Sequence, residues 1–176
     1  MPDSVFLGFC AKRRATALFA GQVRQIASVS ECIAKRPDDW VKIWDFNRAT
    51  CWNTEAAAWA CVPAESQSDF TLFAYRIIPL LALDDLFPRD LPPLPPEPDL
   101  LPYDRIGYDV VERSAAMGML GFGCSPLSCN GMAESIPVNE FCLLGDLELA
   151  LASARRFDTE QPEPGPYVVI EVLAPR

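Results

Sequence analysis

Two cysteines, two serines and an asparagine are pinned between glycines in the stretch GFGCSPLSCNG, residues 121–131. Such a set could do thiol chemistry. With a helical turn opening at Pro126, Cys124 stands near a helix N-terminus, where the dipole lowers a thiol pKa and creates a nucleophile or an anion site, and Cys129 supplies a second thiol. A nucleophilic thiol also needs a base, and the chain contains no histidine. A Cys-His enzyme and a Ser-His-Asp hydrolase are both excluded on that count. Only an Asp, Glu or Lys could take the proton, and all three lysines, Lys12, Lys35 and Lys42, lie in the other half of the chain. The stretch also has a purely local reading. Ser125 caps, Pro126 fits the first helical position, Leu127 to Asn130 make about one turn, and Gly131 ends it in the left-handed conformation.

The seven cysteines, at 10, 32, 51, 61, 124, 129 and 142, form an odd set without regular spacing. Reduced thiols acting as small buried hydrophobes are expected. With no Cys-x-x-Cys pair and no histidine to complete a mixed site, the spacing argues against a structural zinc, and no metal and no cofactor are expected. Other motif classes fall away as well. No Gly-rich phosphate loop carries a lysine, and Gly118, Gly121 and Gly123 have the wrong spacing for a dinucleotide fingerprint. The adjacent acids Asp38-Asp39 and Asp84-Asp85 read as solvated faces rather than cation ligands.

A formal charge of −9 and a pI near 4.5 work against nucleic-acid binding, which rests on clustered Lys and Arg. The one basic cluster, Lys12-Arg13-Arg14, is short and stands alone. Apolar runs such as Ile77 to Leu83 are too short to cross a bilayer, and the segment before Lys12 does not resemble a signal peptide. A soluble, cytoplasmic protein is the expectation, with no membrane partner.

The elements that must position these residues are set out around a proline-rich stretch, FPRDLPPLPPEPDLLP, from Phe87 to Pro102. Proline this dense lacks the amide donors for a helix or central strand, so residues 84–104 read as an extended connector or strap. Its two sides resemble each other. Leu7-Gly8-Phe9 before Arg14 matches Ile106-Gly107-Tyr108 before Arg113. Phe46-Asn47 leads through Cys51-Trp52 towards an alanine-rich helix, as Val138-Asn139 leads through Cys142-Leu143 to Leu149-Ala150-Leu151. Each side closes on an apolar strand ending in proline, Phe70–Pro79 and Tyr167–Pro175.

Ser4–Ala11 and Ile106–Glu112 have the β-branched and aromatic content of strands. Asn53 and Asp146 are placed as helix N-caps, and Leu147, Ala150, Leu151 and Ala154 recur at helical spacing. Ser28-x-x-Glu31 reads as a capping box, and Trp40, Ile43 and Trp44 share one face of a further helical turn. The expected fold class is α+β: two pseudo-repeated halves of strands with packed helices, residues 1–83 and 105–176, joined by the Pro-rich strap at 84–104 within one compact domain.

Three functions fit this reading, the third a structural subunit of a larger assembly, which suits the prolines and the aromatic content. The first is a non-catalytic, immunity- or inhibitor-like protein whose acidic surface engages a basic protein partner. The second is a small-ligand-binding protein or enzyme with a site between the halves that involves the Gly121–Gly131 loop. Candidate ligand or partner residues are Arg14, Asn47, Arg113, Cys124, Ser128, Cys129, Asn130 and Asn139. The arginines and asparagines could bind a small anion in a cleft or could tie loops to strand ends.

Overall fold

A computed structural model describes residues 4–15, 24–30, 32, 46–47, 49–79, 94–116, 119–129, 135–160, 162 and 165–176. Glu31, the Trp40–Trp44 turn, the connector before residue 94, Asn130 and Gly131 lie outside the described residues. The fold is α+β. Strand β1 runs Val5–Arg13, β2 Phe70–Ile78, β3 Tyr103–Ala116, β4 Met119–Phe122 and β5 Tyr167–Pro175. Helix α1 is Glu55–Ala60, α2 is the single turn Pro126–Cys129, and α3 is Leu147–Glu160. A 3-10 segment, Ala64–Asp69, leads into β2.

The four long strands form where β-branched and aromatic residues are dense. Such side chains pack well on a pleated surface. They build a curled antiparallel sheet in the order β1-β2-β5-β3-β4. At its centre Tyr75 of β2 faces Val172 of β5. Outside that pair, Tyr75 also faces Gly8 of β1, and Val172 also faces Gly107 of β3. Both outer ladders shift register at these glycines, which carry φ values of 135° and 150°. A side chain could not stand there: a Cβ on Gly8 would lie 2.6 Å from the Trp52 carbonyl oxygen, and one on Gly107 2.8 Å from that of Leu144.

What crowds each glycine is a loop that an asparagine holds against the strand. The Asn47 carboxamide donates to the Leu7 carbonyl at 2.7 Å, and its oxygen accepts from the amides of Ala49 and Cys51. Asn139 donates to the Ile106 carbonyl at 2.7 Å and accepts from the amides of Phe141 and Leu143. Each loop then turns through a positive-φ residue, Thr50 or Cys142, and makes one bridge to its strand, Phe9 with Trp52 and Tyr108 with Leu144. A capped helix follows. Asp146 accepts from the Leu149 amide, as its sequence position implies. At α1 the cap is Thr54 rather than Asn53, because the Asn53 oxygen is taken by the Asn47 carboxamide.

Strand alternation splits the apolar side chains between two faces. One carries Phe6, Phe9, Leu72 and Ala74 under α1, and Tyr108, Val110 and Val169 under Ala150, Leu151, Ala154 and Phe157 of α3. On this helix-covered face the cross-strand pair Arg76–Glu171, 3.0 Å apart, stands at the centre, and Glu97 joins it. The opposite face carries Leu7, Cys10, Tyr75, Ile77, Val111, Val168, Ile170 and Val172. No helix covers it among the described residues. The segment 24–30 lies there instead, held by Ala27 N–H to the Phe141 carbonyl and by the Tyr75 hydroxyl to the Ala27 carbonyl.

Candidate functional site

Two charged side chains stand on that second face, where alternation calls for apolar ones. Lys12 follows Leu7 and Cys10 on the inward side of β1 and is fully buried. Its ammonium donates to the carbonyls of Val29 at 3.2 Å and Ser30 at 2.6 Å, so the segment 24–30 closes over it. Asp109 of β3 is likewise fully buried. Its Oδ1 accepts from the Ser125 hydroxyl at 2.6 Å and from the Val110 amide at 2.9 Å. Its Oδ2 has no hydrogen-bond partner among the described residues.

Burying a carboxylate costs far more than burying its acid form. Burial therefore pushes the Asp109 carboxyl above the usual carboxylate range, against the opposing pull of Ser125, Ser28, the Val110 amide and the Lys12 charge. A buried carboxyl held in this way between serine hydroxyls is biased towards its protonated form.

The opening stretch folds over this pair. β4 carries Gly121 and Phe122 along the outer edge of β3, and a tight turn leads to α2. The turn is fixed on both sides: Glu112 donates its amide to the Cys124 carbonyl, and the Glu112 carboxylate accepts from the Cys124 amide at 3.4 Å. Within α2 the amides of Ser128 and Cys129 donate to the Ser125 carbonyl. Ser125 is thus no side-chain cap. Its hydroxyl goes to Asp109, and this ties the turn to the buried charge.

At the rim stand three thiols. The Sγ atoms of Cys32, Cys124 and Cys129 all lie within 4.8 Å of one another, with Cys32 and Cys124 3.1 Å apart. Cys32 is exposed, and Cys124 and Cys129 are half-buried. The Ser128 and Ser30 hydroxyls approach the Cys129 sulfur at 3.7 and 4.0 Å. Burial pushes the Cys124 and Cys129 thiols up, and for Cys124 the neighbouring sulfurs push the same way. The direction is opposite to the one a helix dipole would give. α2 is one turn long, and desolvation and repulsion between thiolates outweigh it. Beneath them, burial and the Asp109 charge raise the Cys142 thiol to about 11.

The other candidate residues separate from this group. Arg14 leaves the end of β1, donates its amide to the Asp69 carbonyl and points Nε towards the Thr71 hydroxyl at 3.4 Å. It lines an open groove of about 330 Å³ with Glu55, Trp59, Phe70 and Tyr103. Arg113 sits in the β3–β4 ladder opposite Phe122 and donates its amide to the Pro166 carbonyl. Asn47 and Asn139 hold loops to strand ends. Cys124, Ser128 and Cys129 are brought together.

Sequence reasoning missed Lys12, Asp109 and Cys32. Lys12 reads with Arg13 and Arg14 as a basic cluster, although counting by twos from Cys10 places it inward. Asp109, between Tyr108 and Val110 in an apolar run, gives the same signal of a charge at an interior strand position. Cys32 meets Cys124 across the fold, and no local spacing announces that. Comparison with protein-family models, with curated proteins and with solved structures finds no match.

Proposed function

We propose that the protein binds a small ligand at the seam where segment 24–30 and Cys32 meet the turn and helix of residues 122–129. The observation that carries this is a buried lysine, Lys12, and a buried carboxyl, Asp109, tied through Ser30 and Ser125 to the two sides of a cluster of three thiols, one exposed and two half-buried. Burying two titratable side chains costs stability, and such groups concentrate at sites. The site takes Lys12 and Cys32 from the first half of the chain and Asp109, Cys124 and Cys129 from the second.

We further infer that the halves are copies of one unit linked through the Pro-rich strap. The matched asparagine loops, glycine bulges and capped helices support this, as does the central Tyr75–Val172 pairing. On that reading the site occupies a seam between copies, a common place for clefts. Binding is favoured over nucleophilic catalysis, because thiols pushed upwards are weak nucleophiles at neutral pH and no histidine can activate them. Seven reduced cysteines fit a cytoplasmic setting. Net charge supports only a general attraction for basic proteins, whereas the seam offers defined chemistry.

Native-state alkylation with iodoacetamide, mapped cysteine by cysteine, tests the reading. Cys32 is expected to label first in the folded protein, Cys124 and Cys129 more slowly because their thiols are pushed upwards, and Cys10, Cys51 and Cys142 only on unfolding. Labelling of Cys124 and Cys129 as slow as that of Cys51 would mean a closed core and no site.

A further inference from the structure

Three sulfurs within one small triangle offer a specific chemistry, and we propose that Cys32, Cys124 and Cys129 together bind one soft d10 cation, Zn²⁺ or Cu⁺. The inference rests on the seam being a ligand site and names the ligand class.

The donor set decides the class. Three thiolates with no imidazole anywhere in the chain are soft ligands, which suit Zn²⁺ and Cu⁺ and are poor partners for Mg²⁺ or Ca²⁺. Geometry agrees. A metal–sulfur bond of about 2.3 Å in a trigonal or tetrahedral set places the sulfurs ~4 Å apart, within the separations found here. Cys32 and Cys124, at 3.1 Å, need only a small opening to reach it. Cys32 lies on the exposed side, so the site has an entry path.

The surroundings fit a metal better than three separate thiols. The Ser30 and Ser128 hydroxyls lie beside the Cys129 sulfur and can donate to it once it is a thiolate, as outer-shell donors do around bound metals. The Cys124 amide donates to the Glu112 carboxylate, which helps hold the backbone at that ligand. Both ends of the seam are tied down: Cys124 and Cys129 flank Ser125, bonded to Asp109, while Cys32 follows Ser30, whose carbonyl accepts from Lys12. The two buried side chains, Lys12 and Asp109, therefore each anchor one side of the thiol cluster.

Binding is coordination without redox change. Each S–H bond breaks heterolytically, the proton passes to solvent and the sulfur lone pair to the metal. Zn²⁺ completes its shell with water, and Cu⁺ is satisfied by the three sulfurs. A chain without a Cys-x-x-Cys motif can hold such a metal because the third ligand arrives from the other half of the fold.

The test titrates the reduced full-length chain anaerobically with Cd²⁺, as a spectroscopic substitute for Zn²⁺, and separately with chelator-buffered Cu⁺. Sulfur-to-metal charge-transfer absorption is followed. One equivalent per chain is expected to saturate the band, with proton release approaching three per metal in weakly buffered solution. Cys32→Ser and Cys129→Ser should each weaken binding by about 100-fold or more, and Cys61→Ser should leave it unchanged. Competition between Zn²⁺ and Cu⁺ then identifies the preferred cation. No saturable band in the wild-type chain, release of one proton or fewer, or equal affinity in the Cys32→Ser variant would overturn the proposal. If alkylation reaches Cys124 and Cys129 but no cation saturates, the cation is wrong and the site stands; if alkylation does not reach them, both fail.

Discussion

Asn47 and Asn139 make the same three bonds: each carboxamide donates at 2.7 Å to a carbonyl one residue before a positive-φ glycine and accepts from two amides of its own loop. One side chain thereby satisfies three backbone groups on each side of the central β2–β5 pair, where neither helix nor ladder could.

Replacing either asparagine by alanine should therefore cost much more than a surface substitution. With three backbone groups left unpaired near the core, Asn139→Ala is expected to lose about 3 kcal/mol. For a chain of this size that lowers Tm by about 10 °C. Asn139→Asp keeps the two acceptor contacts and loses the donor, so it should fall between. Thermal unfolding of the three proteins checks the order, and an alanine variant within a degree or two of wild type would show that the loops hold without the asparagine.

The glycine beside each loop gives a second prediction. Gly8→Ala and Gly107→Ala put a Cβ against the carbonyls of Trp52 and Leu144 in a backbone region that side chains avoid. Each should destabilise by about 3 kcal/mol. Gly145→Ala meets nothing within 4 Å and serves as the control. Urea midpoints of the three variants measure the contrast.

Asp109 should make stability depend on pH. Its carboxyl is held above the usual range by burial, so the folded chain keeps this proton longer than the unfolded one. The contribution is fully present below the unfolded value of about 3.9 and is lost as pH rises through the higher native value. Asp109→Asn cannot ionise and escapes that loss. Its stability relative to wild type should rise from about pH 4 upwards. Lys12→Met removes a charge that opposes the shift, so in that variant the loss should continue to higher pH. Parallel urea midpoints for wild type and Asp109→Asn between pH 4 and 8 would contradict this.

Much of the frame could be read from residue pattern. Phe70–Ile78 and Tyr167–Pro175 are dense in β-branched and aromatic residues, and Asp146 is a clear cap, so these elements stand where local chemistry put them. The misses have physical causes. Thr54 replaces Asn53 as a cap because Asn53 is already engaged by Asn47, a contact outside any helix window. β4 holds four residues, too few for alternation to show, and exists because β3 offers it an edge. Ser125 looked like a cap because capping is the local use of a serine before proline, and Asp109 claims it from another strand. The candidate site depends almost wholly on such distant pairings. Cys124, Ser128 and Cys129 were visible in one stretch, whereas Lys12, Cys32 and Asp109 join them only when the sheet curls.

The most direct measurement is cysteine-resolved alkylation of the native, reduced chain with and without one equivalent of Zn²⁺. An open thiol seam that binds a soft cation predicts that Cys32 labels first in the metal-free protein, that Cys124 and Cys129 follow without unfolding, and that the metal slows all three together by at least about tenfold, with no change at Cys61. Labelling of Cys124 and Cys129 that occurs only on unfolding, as at Cys51, or rates at the three that zinc does not alter, would contradict it.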